Sequence, residues 1–331
     1  MADPTTILTT DAQAAAPATR ISLSRVGVTG VEKLIRVSAN GTESLFHAEL
    51  ECLVDLNPEQ AGVHMSRFEE VVNEAIEEVV LGEALRAEEL AAHIAQQVRE
   101  RQSGMRAEVR ISARYPETVP TPVSGMPTQE IYTLFGTAVA SERGTRTLRG
   151  VQAQGMTACP CAQGLVEDSA RERLTEQGFD SDQIERVLEA VPVATHNQRG
   201  VGTLYVGCPE SWSVDIDARE LLHIVEGSMS SEIYELMKRS DERAVVEKAH
   251  ANPRFVEDCV REMIRRVTEA FPDLHPDAFV EARQENLETI HRHNVVAERH
   301  GLISEINHEL ETGEHSLHHT TMREWLEAPV S

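Results

Sequence analysis

Residues 45–56 (LFHAELECLVDL) and 105–115 (MRAEVRISARY) alternate apolar and polar side chains. A period of two sends successive side chains to opposite faces, so each stretch reads as a strand with one buried face. Residues 21–37 carry apolar residues without helical spacing and are interrupted by Gly27 and Gly30, which predicts a strand with a turn. Residues 131–140 and 145–154 form a hairpin through Glu142-Arg143-Gly144. Between the second and third strands lie two helices, 66–81 and 83–102, the first capped by Ser66 with Glu69 completing a capping box. The order strand, strand, helix, helix, strand, strand predicts an α+β unit: a four-stranded antiparallel sheet with two helices on one face.

A chain of 331 residues is long for one core and predicts two such units. Residues 1–18, rich in Ala, Thr and Pro, read as a disordered leader, 19–156 as the first module and 157–311 as the second. The second module contains a charged helical insertion (165–191), a strand at 201–206, helices at 217–227, 230–238, 241–250 and 253–270, and strands at 278–285 and 294–299. Asn252 and Pro253 read as N-cap and N1 of the last helix. The tail, 312–331, reads as loose with a short helix near 322–326.

Fifty-five acidic against 31 basic residues give a formal charge of −24, a surface that repels nucleic acid and anionic membrane. Lysine is confined to Lys33, Lys238 and Lys248. Such an acid-rich, Lys-poor chain fits a cytoplasm of high salt, where screening relieves self-repulsion; an ordinary acidic protein is the alternative. Five cysteines, an odd and sparse set, argue against a disulfide framework, and no long apolar run is present, so the expectation is a soluble cytoplasmic protein.

The chemistry concentrates in Gly155-Met156-Thr157-Ala158-Cys159-Pro160-Cys161-Ala162-Gln163 and Thr195-His196-Asn197-Gln198-Arg199-Gly200. Pro160 restricts Cys159 to extended backbone, and cysteines two apart on an extended segment point opposite ways. One thiolate plus the His196 imidazole is the start of a transition-metal site of the kind zinc or ferrous iron occupies. Arg199 offers a fork for phosphate. Glu226, on a helix with apolar neighbours, reads either as a solvated face residue or as a further metal ligand. His291 and His293 read either as a pair on one face of an extended end or as a chance pair among 14 histidines. Lys238-Arg239-Ser240-Asp241-Glu242-Arg243 reads either as a solvated helix terminus or as a carboxylate for a base with cations for phosphates; His315, His318 and His319 read as tail.

These motifs, with Gly62-Val63-His64-Met65-Ser66-Arg67-Phe68, Asn252-Pro253-Arg254-Phe255-Val256-Glu257-Asp258 and Ile290-His291-Arg292-His293-Asn294, resemble in this order the archaeal GTP cyclohydrolases and their bacterial type IB relatives, over residues 20–300. Ala-Cys-Pro-Cys-Ala-Gln resembles the archaeal branch; the bacterial one has Ser-Lys after the second Cys and a shorter gap to His-Asn-Gln-Arg. The resemblance implies a tunnelling fold of two antiparallel-sheet modules per chain, each with helices on one face, whose barrels close by oligomerisation into a dimer or tetramer with interface sites. It implies GTP as substrate, ferrous iron as cofactor with zinc or manganese as substitutes, and 7,8-dihydroneopterin 2',3'-cyclic phosphate, formate and diphosphate as products. It assigns Cys159, His196 and Glu226 as metal ligands, Cys159, His196, His291 and His293 to catalysis, and Glu242 to guanine. A tetra-anionic substrate on so acidic a chain needs local cations, for which Arg199, Lys238, Arg239 and Arg243 are the candidates. Cys161 departs from the one-thiolate pattern. Rivals are an enzyme giving dihydroneopterin triphosphate, a tunnelling-fold reductase with a covalent thioimide, and a GTP-binding protein without turnover.

Overall fold

The alternating stretches form strands because each buries one side-chain row: along β3 (Arg106–Pro120), Ala107, Val109, Ile111 and Ala113 are buried. The structure, a computed structural model, describes residues 13–39, 42–78, 86–210, 212 and 216–328. In chain order its first half comprises β1 (Leu23–Ala39), β2 (Thr42–Leu56), α1 (Met65–Glu78), α2 (Ala87–Gln102), β3, β4 (Pro127–Ser141) and β5 (Gly144–Ala158). Then come α3 (Pro160–Glu176), α4 (Ser181–Ala190), β6 (Asn197–Gly207), α5 (Ala218–Gly227), β7 (Ser231–Glu232) and α6 (Arg239–Ala251). The chain continues through α7 (Val256–Ala270), β8 (Phe279–Leu287), β9 (Val295–Leu302), α8 (Ile303–Thr312) and α9 (Met322–Glu327).

All pairings are antiparallel, and the sheet runs β1-β2-β3-β4-β5-β6-β8-β9, with β7 added beside β5. This corrects the expected tunnelling fold of two separate sheet modules with barrels closed by oligomerisation. The boundary foreseen between residues 156 and 157 falls inside β5, whose final residues pair with the start of β6 (Met156 with Arg199, Ala158 with Asn197). Splitting the sheet there would leave a row of buried backbone N–H and C=O groups unpaired.

One face of the sheet carries α1, α2, α5 and α7 over a single apolar core. The α7 residues Val256, Cys259, Val260, Met263, Ile264 and Val267 recur at helical spacing and are all buried. The opposite face is polar. Glu51 and Arg110 are register partners there, as are Arg283 and Thr203, and Arg25 bridges Glu51 (3.6 Å) and Glu108 (3.2 Å).

Several local expectations differ from the structure. Ser66 lies within α1, which begins at Met65. Residues 230–238 form β7 and bends rather than a helix, because Met156 pairs with Ser231. Asn252 closes α6, and α7 begins after Phe255. The tail is not loose. Trp325 and Leu326 of α9 are buried against Val139, Leu148 and Phe279 on the polar face, and the Trp325 indole N–H donates to Asp277 O (2.8 Å). Residues 1–12 of the leader, and the expected junction of the first two helices at 79–85, lie outside the described residues. Within 13–18, Ala15 O accepts from Ala61 N (2.8 Å).

Candidate active site

Cys159 follows the last residue of β5 and stands at the N-cap of α3 in extended backbone (φ −76°, ψ 118°), with Pro160 as the first helical residue. Its sulfur accepts the Ala162 N–H (3.4 Å), so the positive end of α3 faces it. Cys161 enters the first turn of α3 and is exposed. The helical pair α3–α4, which includes the insertion, leaves the body at Cys159 and returns at His196. None of α3 is buried. The two ends are crossed: Cys159 N–H donates to His196 O (3.2 Å), and the Thr195 hydroxyl donates to Cys159 O (2.8 Å).

His196 lies just before β6, with its side chain 14% exposed. Nδ1 lies 3.0 Å from Gln198 Oε1. A tautomer that donates from Nδ1 leaves the Nε2 lone pair available, the usual outer-shell arrangement of a ligating histidine. On the same side, Glu288 Oε2 is 3.8 Å from Nδ1. The Glu288 side chain is only 6% exposed, and this oxygen has no hydrogen-bond partner. His291 and His293, in the β8–β9 loop, stack on each other with ring centroids 5.2 Å apart and planes at 14°. Cys159, His196, Gln198, Glu288, His291 and His293 all line one cleft of about 450 Å³, completed by Arg254, Phe255 and Asn286 among others.

Glu226 does not join them. It lines a separate cavity of about 340 Å³ with Tyr132, Glu130, Glu232, Tyr234 and Lys248, and Tyr132 donates to it (2.9 Å). The three-ligand set Cys159, His196 and Glu226 is therefore not assembled by this chain in this conformation. Among the described residues the ligand atoms of one His/Cys/Asp/Glu set converge, Glu281, Glu298 and His300 at the β8–β9 edge, and none of these lines the cleft.

Burial pushes the Glu226 carboxyl up to about 7; the Tyr132 hydrogen bond pulls it down, and nearby Glu232, Glu130 and Glu117 raise it further. The folded chain thus keeps a proton that an unfolded one, titrating near 4.5, has lost, so this group costs stability as pH rises through that window. Urea unfolding is expected to show Glu226→Gln gaining on the wild type by on the order of 2 kcal/mol between about pH 5 and pH 8. A pH-independent difference would show that Glu226 is charged throughout.

The 238–243 motif is also placed elsewhere. Lys238, Arg239 and Glu242 are exposed at the start of α6, outside both cavities. Its buried carboxylate is Asp241, which accepts from Val123 N (2.9 Å), Ser124 N (2.8 Å), the Ser124 hydroxyl (2.7 Å) and Lys238 N (2.9 Å). Burial alone would raise its pKa; these hydrogen bonds outweigh that and hold it well below the usual carboxylate range. Asp241 is thus a structural clamp, and Glu242, expected to hold the base, stands exposed beside it and away from the cleft. Arg199, one residue beyond Gln198 on β6, points to the other face and binds Gln154 Oε1 (3.1 Å). Glu288 and Asn286 carry no signal of their own in the sequence beyond the nearby His291 and His293, whereas Arg254 and Phe255 belong to the 252–258 motif, which gives them no individual role.

No helix among the described residues is long and apolar enough to cross a membrane. The chain is similar to the GTP cyclohydrolase MptA of Methanococcus maripaludis (strain C5), 42% identical over 310 residues that cover 91% of this chain and 98% of that one. It is likewise similar to the proteins of that name from Methanothermobacter thermautotrophicus (40% over 307 residues, 91% and 96% covered) and Methanosarcina acetivorans (39% over 310 residues, 91% and 96%). Among solved structures, uricase from Arthrobacter globiformis shares the fold at 9% identity, with TM-score 0.52 and coverage of 91% of this chain and 98% of that one. A family model described as type I GTP cyclohydrolase folE2 matches residues 9–297, a span that includes every residue of the Cys159–His196 cleft. With that span and these relatives, the chain belongs to the type I GTP cyclohydrolase folE2 family.

Proposed function

We propose that this chain opens the imidazole ring of GTP and releases formate, with the Cys159–His196 cleft as its active site. The observation that carries the reading is the convergence on one cleft, from three separate segments, of a thiol, an outer-shell-supported imidazole and a carboxylate beside that imidazole with one oxygen free of hydrogen bonds. The archaeal relatives bear the name of that activity.

The donor chemistry of Cys159 and His196 fits ferrous iron, zinc or manganese. Such an ion supplies a Lewis acid and a water of lowered pKa, which the poorly electrophilic C8 of a purine requires. Gln198 orients His196. Glu288 takes the role expected of Glu242: guanine presents N1–H and N2–H side by side, and a carboxylate accepts both. His291 or His293, at the mouth of the cleft, donates a proton to the ring nitrogen as its bond to C8 breaks. In this reading GTP ends as 7,8-dihydroneopterin 2',3'-cyclic phosphate with loss of diphosphate, the first step of archaeal pterin synthesis, in the cytoplasm. Arg254 is the one cation among the cleft's described lining residues, while Arg199, Lys238 and Arg239 lie on other surfaces. A homo-oligomer in which another copy brings cations to the triphosphate meets that need.

Anaerobic incubation with GTP in high salt, with iron or zinc added separately, tests the reading. Formate and a cyclic-phosphate mass support it, a triphosphate mass moves the product to the bacterial type, and GTP binding without formate under either metal sinks it. Glu288→Gln places an N–H donor against the guanine edge, and kcat/KM is expected to fall roughly 10²-fold. Unchanged kinetics in that variant would remove Glu288 from base recognition.

A further inference from the structure

We propose that Phe255 is the platform on which the purine base stacks, an assignment that rests on reading the cleft as the GTP site. Phe255 occupies the N-cap of α7, a position that favours Ser, Thr, Asp or Asn because their side chains accept a free helix N–H. Phe makes no such bond there. Its side chain is 46% exposed where it lines the cleft, beside the polar groups of His196, Gln198, Asn286 and Glu288. An aromatic residue at an N-cap, with nearly half its surface in water at the wall of a cleft, departs from the local helix preference where a functional constraint would place it.

The position is held rigidly. Arg254 N–H donates to Ala158 O (3.0 Å), the residue before Cys159, and Phe255 N–H donates to Asp258 Oδ2 (3.2 Å). Phe255 is thus tied by one hydrogen-bonded step to the strand end that carries the thiol. Val296, 56% exposed on β9, lines the same cleft and, with Pro160, Val256 and Val295, adds to its apolar surface. Guanine has a polar edge and two apolar faces. Glu288 answers the edge; an exposed aromatic ring answers a face, and covering both removes their apolar surface from water.

Two substitutions separate this role from a structural one. Phe255→Ser supplies a good N-cap, so the unfolding midpoint is expected to hold or rise, while KM for GTP rises roughly tenfold or more with kcat within about twofold. Phe255→Trp keeps an aromatic face, so KM stays near wild type. In metal-free protein the new indole is expected to be quenched saturably by GTP and not by inorganic triphosphate, with Trp212 and Trp325 as background measured in the wild type. A wild-type KM in Phe255→Ser overturns the assignment, as does a Phe255→Trp indole that GTP leaves unquenched. If the wild type itself releases no formate, the reading of the reaction fails and the quenching alone decides: saturable quenching supports stacking, and its absence overturns it.

Discussion

Replacing Cys159 by Ala is expected to lower formate release by roughly 10³-fold or more and to take the bound metal with it. Cys159 lines the cleft with His196 and Glu288, and its position is set by β5 on one side and α3 on the other. Cys161→Ala is the matched control, since that thiol is exposed on α3 and outside the cleft. It is expected to keep both metal and rate within about twofold. Gln198→Ala lies between the two: loss of an outer-shell partner of this kind costs about 10- to 100-fold in metal affinity. Metal content and formate release measured on the three variants check the ordering. Full metal and full rate in Cys159→Ala would move the chemistry to another part of the chain.

Gly136→Ala is expected to destabilise the fold by about 3 kcal/mol or more, although it adds a single carbon. A Cβ at Gly136 would stand 2.3 Å from Ala87 C, 2.5 Å from Ala87 O and 2.5 Å from Glu88 N. These are backbone atoms of the first turn of α2, which cannot step aside as a side-chain tip does. The helix must lift from β4, and with it goes the buried pair between Glu88 and Arg149. Denaturant unfolding in high salt, read at constant slope, measures the loss. Gly164→Ala gives the opposite sign: nothing lies within 4 Å of its Cβ position within α3, so better helix propensity is expected to add about 0.5–1 kcal/mol. A Gly136→Ala protein as stable as the wild type would mean that α2 is not seated on β4 at this point.

Most strands were readable because alternation is a local signal. Residues 105–115 lie almost wholly within β3, and the turn between the hairpin strands sits between β4 and β5, where Gly144 has φ 116°. The types of side chain at the site were readable too. Cys159 and His196 each carry recognisable chemistry in a motif of a few residues, and Pro160 gives Cys159 its extended backbone. The direction of Cys161 was less so: it is set by the helix that starts at Pro160.

The amino-acid sequence by itself determined most strands, the main amphipathic helices, the family resemblance and the two motifs that carry the thiol and the imidazole, each of which is a local signal in the chain. Tertiary structure alone decided that the sheet is continuous, because β5 and β6 meet across the whole α3–α4 excursion. It decided likewise that Asp241 is a clamp and that Glu288 lies in the cleft beside His196. Nothing adjacent in sequence distinguishes Asp241 from Glu242, or marks Glu288 among 55 acidic residues. A carboxylate's role is set by which donors surround it and how much water reaches it, and both are fixed by segments distant in the chain: the β3–β4 turn for Asp241, and His196 beside the wall of the cleft for Glu288.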